Sequence, residues 1–272
     1  MNNKKFMQKI ISMYISFYEG LFNISFPYIH YGPPSLLNPD AFMFASIRET
    51  LQSIQILIQK SRYADTYTLL RKYYDLIIIQ TYINIYLKEG SEDIFEYHNR
   101  MEQINNWIKN KKQLPLPRET QNLKKSDFSK RVEFLYHHKL LRPLQRILKS
   151  YQNEFKNIRD RCNDYIHYNY FITILANGEN SLTIEKEKEF LSQFMDDLRM
   201  LFILHFTYLF LITPQYMRSS DYVDYLEAGK EPPNGSEYWI APFVRNIIDK
   251  ELKPHAPGFF RIIKENTSMR IE

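Results

Sequence analysis

The chain has 272 residues, of which 44% are hydrophobic, 15% aromatic and 25% charged, so it is long and apolar enough to bury a sizeable core. Only 7 residues are glycine, and the sequence contains no glycine-rich phosphate loop, which argues against Rossmann-type and P-loop nucleotide binding. The single cysteine, Cys162, excludes a disulfide framework and is typical of a protein of the reducing cytoplasm.

The formal net charge of +5 is unevenly distributed along the chain. Residues 109–161 contain 15 Lys and Arg against 5 Asp and Glu, a local charge of +10, so the remaining residues together carry −5. A one-sided basic segment indicates a polyanionic partner such as RNA. The alternative is that these cations form the solvated faces of ordinary helices.

The apolar stretches are those of a protein without a membrane segment. The run over 6–26 is interrupted by polar and charged residues, and no small-residue cleavage site follows it, so it predicts an amphipathic helix rather than a signal peptide. The most apolar stretch, 200–212, has 13 residues and includes His205. It is too short to span a bilayer and predicts a buried core helix.

Apolar residues recur at helical spacing through most of the first 212 residues. Local start and stop signals support this pattern: Pro39 follows a capping Asn, Gly90 ends a helix, and Ser91 and Ser126 can cap the helices after them. The predicted helices cover 3–24, 39–60, 63–88, 92–109, 126–138, 140–168 and 185–212.

The segments between and after these helices carry turn signals. Residues 27–34 and 219–236 are rich in Pro or Gly and predict loops, and Asn177-Gly178 favours a short β-hairpin within 168–184. Two short helices are expected over 238–252 and 257–265. The sequence therefore predicts an all-α, up-and-down bundle of about six long helices over 1–212, with a C-terminal helical extension, 213–272, packed on it.

The densest polar cluster in the sequence is Arg159-Asp160-Arg161-Cys162-Asn163-Asp164-Tyr165-Ile166-His167-Tyr168-Asn169. On a helix, Arg159, Asn163 and His167 share one face, whereas Arg161 lies about 120° from His167. Histidine titrates near neutral pH and can move a proton from a 2′-hydroxyl, and guanidinium groups stabilise a developing phosphorane. We therefore expect Arg161 to stabilise the transition state, His167 to act as general acid and base, and Asn163 or Asp164 to orient the imidazole.

The segment from Arg161 to His167 has the form R-x5-H and resembles the R-x(4–6)-H motif of HEPN domains (higher eukaryotes and prokaryotes nucleotide-binding). The resemblance covers this motif in sequence and residues 39–212 in architecture. It departs from the family pattern at Cys162, where Asn, Asp or His is usual, which leaves Asn163 as the substitute.

The HEPN resemblance implies a metal-independent endoribonuclease without a cofactor. Such an enzyme cuts single-stranded RNA and leaves a 2′,3′-cyclic phosphate. It also implies a homodimer with a composite site, a role as a toxin or antiphage effector, and a neutralising or regulatory partner protein. Residues that would contact the RNA are Arg159, Lys156, Arg146, Arg142 and Tyr168.

Other interpretations of these residues stay open. Arg131 with His137 or His138, and Arg199 with His205, also match the motif spacing. Arg71 and Asp75, four residues apart on the third helix, form either a salt bridge or part of the same cleft. The alternative function is a non-catalytic helical module that binds RNA or protein and uses the Arg/His cluster only for structure.

Overall fold

The computed structural model describes residues 2–25, 39–178, 182–218, 225, 228–230, 240–269 and 271. The expected all-α fold is confirmed, and no strand occurs among these residues. The α-helices are α1 (Asn2–Ser25), α2 (Pro39–Gln59), α3 (Tyr63–Glu89), α4 (Ile94–Ile108), α5 (Asp127–His137), α6 (Gln145–Ser150), α7 (Gln152–His167), α8 (Phe171–Leu175), α9 (Ile184–Ile212), α10 (Pro242–Ile247), α11 (Lys253–His255) and α12 (Pro257–Asn266).

Local signals in the sequence place most of the helix starts. Pro39 is the first residue of α2, and the hydroxyls of Ser126 and Thr183 accept the backbone N–H groups that α5 and α9 leave unpaired at their starts. The start of α4 differs from the prediction, because the cap is Asp93 rather than Ser91. The Asp93 carboxylate accepts two backbone N–H groups, which a single hydroxyl does less well. The predicted loops at 27–34 and 219–236 lie largely outside the described residues.

The prediction of a single helix over 140–168 is wrong. A 3-10 turn, Lys139–Leu144, contains Pro143 and is followed by α6 and then by α7. The break falls at Tyr151, whose backbone (φ −99°, ψ 7°) leaves the helical region while its ring packs on Phe259 of α12. Tertiary packing therefore divides the segment and sets the direction of α7 independently of α6.

The predicted β-hairpin within 168–184 is also wrong, because residues 171–175 form α8 and Ile184 already belongs to α9. Asn177, which suggested a hairpin turn, instead forms hydrogen bonds to the start of α3. Its side-chain oxygen accepts the backbone N–H groups of Ala64 (2.9 Å) and Asp65 (3.2 Å), and its amide donates to the Asp65 carboxylate. Asn177 thus caps the start of α3 from more than a hundred residues away, and this contact anchors the chain that leaves α7.

Helix α3 lies at the centre of the bundle and packs against α2, α4, α5, α7 and α9. Its buried residues occupy nearly every side of the helix, as the apolar middle of this segment predicts. Helix α9 is buried without interruption over 201–210, and α1 contributes Phe17, which packs on Phe202 and Phe206. None of the described helices is long and apolar enough to cross a membrane.

A chain of hydrogen bonds crosses this apolar core. The hydroxyl of Tyr18 contacts that of Tyr73 and Nδ1 of His205, both at 2.7 Å, and Nε2 of His205 contacts Oε1 of Gln80 at 2.8 Å. Gln80 in turn donates to the buried carboxylate of Asp40 at 2.9 Å. One assignment satisfies every group: His205 is neutral and carries its proton on Nε2, and Tyr18 donates to Nδ1.

The C-terminal helices pack on the bundle where they are described. A Cβ on Gly20 of α1 would lie 2.8 Å from the ring of Phe243, so glycine allows α10 to approach α1. A π-helical turn, Ile248–Leu252, follows α10 and carries the buried Glu251. Its carboxylate accepts from Tyr14 of α1 (3.0 Å) and from Arg199 of α9 (2.9 Å).

We predict that His205 makes the protein less stable in acid. Burial lowers the pKa of His205 to about 3, whereas the unfolded chain titrates near 6.5. Between these values only the unfolded chain binds the proton, so stability rises with pH by up to about 1.4 kcal/mol per pH unit and falls on acidification. The His205→Gln variant should lose this part of the slope in urea unfolding between about pH 4 and pH 6. Equal slopes in both proteins would contradict the prediction.

Candidate functional site

The rotation of α7 about its axis decides which of its side chains reach solvent. Ile158 and Cys162 are buried, and Tyr165 is half-buried and stacks on Tyr67 with ring centroids 4.4 Å apart. These residues form the inner stripe of α7. Arg161 and Asn163 lie on opposite sides of this stripe, each about 100° from Cys162 around the helix axis.

Arg161 lies on the flank that faces α9, where it forms a bidentate ion pair with Asp197. Its Nε and Nη2 donate to the two carboxylate oxygens at 2.8 and 2.5 Å. The side chain of Asp197 is only 3% exposed and also accepts from Tyr67 and Gln193. Burial alone would lower the pKa of Arg161, but its hydrogen bonds to Asp197 raise it above its ordinary value. The guanidinium thus holds α7 on α9 through two charge-assisted hydrogen bonds.

The predicted pair of Arg161 and His167 does not meet on one side of α7. His167 lies about 140° from Cys162 in the direction opposite to Arg161. The outermost positions between them belong to Asp160 and Asp164, whose carboxylates would repel a phosphate. Within one chain the two residues therefore flank different sides of the helix, and their catalytic roles stay predictions.

The other flank of α7 carries Arg159, Asn163 and His167, as their spacing predicts, and it faces α3. Nη1 of Arg71 donates to Oδ1 of Asn163 at 2.9 Å, and Nε of Arg71 donates to Asp75, also at 2.9 Å. Burial raises the pKa of Asp75, although Arg71 opposes this shift. Arg71 thus forms a salt bridge within α3 and also a hydrogen bond to α7. We call Arg71, Asp75, Arg159 and Asn163 the α3–α7 cluster.

Phe128 of α5 holds both arginines of the α3–α7 cluster. The guanidinium carbons of Arg159 and Arg71 lie 4.7 and 4.9 Å from the centroid of its ring, within cation–π range. Arg159 also donates from Nη1 to the hydroxyl of Ser129 at 3.2 Å, while its buried Nε has no hydrogen-bond partner among the described residues. Two guanidinium groups share one carboxylate here, which leaves an excess of positive charge.

The end of α7 fixes the position of His167, the last helical residue. The next residue, Tyr168, adopts the left-handed conformation (φ 51°, ψ 41°), and its N–H donates to the carbonyl of Asp164. The Asp164 carboxylate accepts from the side chain of Asn169 at 2.8 Å, so it stabilises this turn. The His167 side chain is exposed and makes no hydrogen bond to another described residue.

The remaining predicted RNA contacts lie on the surface. Arg142 follows Leu141 in the 3-10 turn, Arg146 belongs to α6, and Lys156 belongs to α7; all three are exposed. Tyr168 is 54% exposed. Cys162, by contrast, is buried, and burial raises the pKa of its thiol to about 12, which makes it an inert core residue.

The three competing Arg/His pairs have structural explanations. Arg131 is buried, whereas His137 is exposed, so the two point to different environments. His138 is buried and contacts the carboxylate of Glu89. Arg199 binds Glu251, and His205 belongs to the hydrogen-bond chain of the core.

Sequence reasoning missed two residues of this region, Asp197 and Phe128. A signal for Asp197 exists, because it is an acid among core positions of α9, next to the buried Leu198. A charge at such a position needs a cation nearby. For Phe128, one of 19 phenylalanines, no signal separates it from ordinary core residues.

Comparison of the chain with protein-family models, with curated proteins and with solved structures found no match. Within the described residues, no three His, Cys, Asp or Glu side chains are grouped so that they could hold a metal ion.

We predict that Arg161 is required for stability. Arg161→Met leaves the buried Asp197 without its cation, which should lower the free energy of unfolding by about 3 kcal/mol, since Tyr67 and Gln193 still donate to it. Urea unfolding measures this loss.

Two further variants provide the controls for Arg161. Asp197→Asn combined with Arg161→Met should recover part of the loss, because no uncompensated charge stays buried. Arg62→Met breaks the exposed pair with Asp65 and should cost less than about 0.5 kcal/mol. A similar loss for Arg62→Met and Arg161→Met would contradict the structural role of Arg161.

We also predict that Tyr168→Gly stabilises the protein. Glycine adopts the left-handed conformation of this residue without the steric cost of a side chain, and the lost ring is largely exposed. The free energy of unfolding should rise by about 1 kcal/mol. Tyr170→Gly is the control, since its φ of −131° is not positive, its ring is also exposed, and glycine has no such advantage there. A loss of stability in Tyr168→Gly would show that the ring contributes more than the backbone costs.

Proposed function

We propose that the chain is a metal-independent endoribonuclease that cuts single-stranded RNA, with His167 as its general acid and base. The observation that carries the proposal is the position of the α3–α7 cluster. Arg71, Arg159 and Asn163 lie on the same flank of α7 as the exposed His167, and the two guanidinium groups supply an excess of positive charge. An imidazole on the same side of a helix as fixed guanidinium groups suits phosphoryl transfer on RNA.

The proposed reaction uses the 2′-hydroxyl of the RNA as the nucleophile. His167 accepts the proton of this hydroxyl, and the oxygen attacks the neighbouring phosphorus. The bond to the 5′ oxygen of the next nucleotide then breaks, this oxygen takes a proton from water, and protonated His167 gives its proton to the hydroxide that remains. The products are a 2′,3′-cyclic phosphate and a 5′-hydroxyl end. Arg71 and Arg159 stabilise the charge of the phosphorane, because their planar donors are already fixed by Phe128.

In this proposal Arg161 is a positioning residue. Its ion pair with Asp197 holds the rotation of α7 that directs Asn163 and His167 to the opposite flank. The single cysteine favours the cytoplasm, and the resemblance to HEPN domains adds a homodimer in which the partner subunit completes the site. It also adds a toxin or antiphage role with a neutralising or regulatory partner.

A second candidate is a non-catalytic module that binds RNA through the same basic flank. The observation that favours it is the Arg161–Asp197 pair, because the arginine of the motif serves the packing of α7 on α9. This candidate predicts RNA binding without cleavage. The two functions share the α3–α7 cluster and differ only in the role of His167.

The His167→Ala variant should lose RNA cleavage and retain the stability of the wild type, because the imidazole is exposed and bonded to no described residue. Loss of a general acid and base lowers such a rate by about 100- to 10,000-fold. The measurement uses purified protein, labelled single-stranded RNA and detection of the cyclic phosphate end. Growth after induction, with total RNA analysed alongside, tests the same variant in cells.

His98→Ala is the matched control, since His98 is an exposed helical histidine on α4, away from α7. It should cut RNA like the wild type. Arg71→Lys keeps the charge of the α3–α7 cluster but loses the planar fork, so it should weaken cleavage. Wild-type protein that binds RNA without cutting it would favour the binding module, whereas equal cleavage by His167→Ala would remove the catalytic role of His167.

A further inference from the structure

A cleft of about 900 Å³ opens beside Arg159, between α5 and the first half of α7. Its floor is formed by buried residues of α3 and α9, among them Tyr74 and Tyr208. Its walls include Tyr136 of α5 and Phe155 of α7, both half-buried. A cavity of this size with aromatic walls is typical of a site for a small organic ring.

The mouth of the cleft carries more positive than negative charge. Glu133 is compensated there by Lys125 at 2.8 Å and by contact with His137. Lys156 and Arg159 also line the cleft and form no ion pair within the part of the chain that the structure describes. Asp160 is the other carboxylate at the rim, and it is exposed to water. Two cations are therefore available to an anion at one end of an aromatic cavity.

Contacts within the protein already hold the Arg159 guanidinium in place before an anion binds. Its guanidinium is held by the ring of Phe128 and by the Ser129 hydroxyl, so little side-chain freedom is left to lose on binding. Its Nη1 already donates to this hydroxyl, which leaves other N–H groups of the fork for an anionic oxygen. A ring beside a phosphate is the chemistry of a nucleotide.

We infer that this cleft binds one unpaired nucleotide of the RNA strand, with its base against Tyr136 and Phe155 and its phosphate on Arg159 and Lys156. The inference rests on the proposed function for its choice of RNA as the ligand. The flank of α7 that begins at Lys156 continues past Arg159 and Asn163 to His167, a distance of about 16 Å along the helix. A strand bound in the cleft can thus lead its next phosphate to Arg71 and Asn163, so that Arg159, which has five N–H donors, lies between the two phosphates.

The test measures binding of the wild-type chain to a fluorescent, 2′-O-methylated oligoadenylate, which lacks the nucleophile and cannot be cut. Unlabelled adenosine 5′-monophosphate and ribose 5-phosphate serve as competitors at a fixed salt concentration. We expect the nucleotide to compete and the sugar phosphate to compete at least about five-fold less well, because stacking of one base contributes roughly 5- to 150-fold in affinity.

Two pairs of variants locate the site. Lys156→Glu should weaken binding about ten-fold, whereas Lys149→Glu, the same change at an exposed residue that does not line the cleft, should weaken it less than about three-fold. Tyr136→Leu should weaken binding by about five-fold or more through lost stacking. Tyr97→Leu on α4 is its control and should bind like the wild type.

Each result bears on one of the two proposals. Three results would contradict nucleotide binding in the cleft: equal competition by both small molecules, equal effects within either pair of variants, or no binding of RNA. These binding measurements do not depend on the nuclease proposal, because neither the probe nor the cleft variants involve His167. Binding that follows the expected pattern in a protein that cuts no RNA would leave the cleft in place and remove the catalytic role.

Discussion

The ion pair between Arg161 and Asp197 is the constraint on which the proposed site depends. It joins two helices at a buried carboxylate, and a buried charge tolerates little displacement of its partner. Because Arg161 must face α9, the residues on the other flank of α7 must face α3 and α5. Apolar packing of Ile158 and Cys162 is not directional, whereas the two hydrogen bonds of the guanidinium fix the rotation of α7 relative to α9.

A second set of polar contacts fixes α3, the element that carries Arg71. The hydrogen-bond chain through Tyr18, His205 and Gln80 links α1, α9 and α3, and Asp40 extends it to α2. Polar groups inside an apolar core restrict the ways in which helices can slide, since each displacement leaves a donor or acceptor unpaired. The contact between Arg71 and Asn163 therefore joins two helices whose positions are set independently of the site.

The sequence predicts those features that depend on neighbouring residues. Pro39, Ser126 and the apolar spacing of α9 indicate helices because caps and amphipathic stripes are local properties. The break at Tyr151 is not predictable in this way, since it depends on Phe259 more than a hundred residues later.

In the candidate site, too, local features are predictable from the sequence and long-range contacts are not. The shared flank of Arg159, Asn163 and His167 follows from helical spacing, but the partner of Arg161 lies 36 residues further on. Helical spacing relative to an inner stripe at Ile158 and Cys162 is enough to separate Arg161 from His167, because the two lie on opposite sides of that stripe. Helical spacing does not predict that Arg161 binds Asp197, the buried acid on α9.

The cap that Asn177 places on α3 has a consequence for the segment after α7. This segment is fixed at one end by the turn at Tyr168 and at the other by Asn177, and between these points Phe171 is 73% exposed. Phe171 is also the first residue of α8, so its backbone is already helical. The conformational entropy of this segment is therefore lost when the protein folds and not when a partner binds. Whatever contacts Phe171 meets a surface that is already ordered.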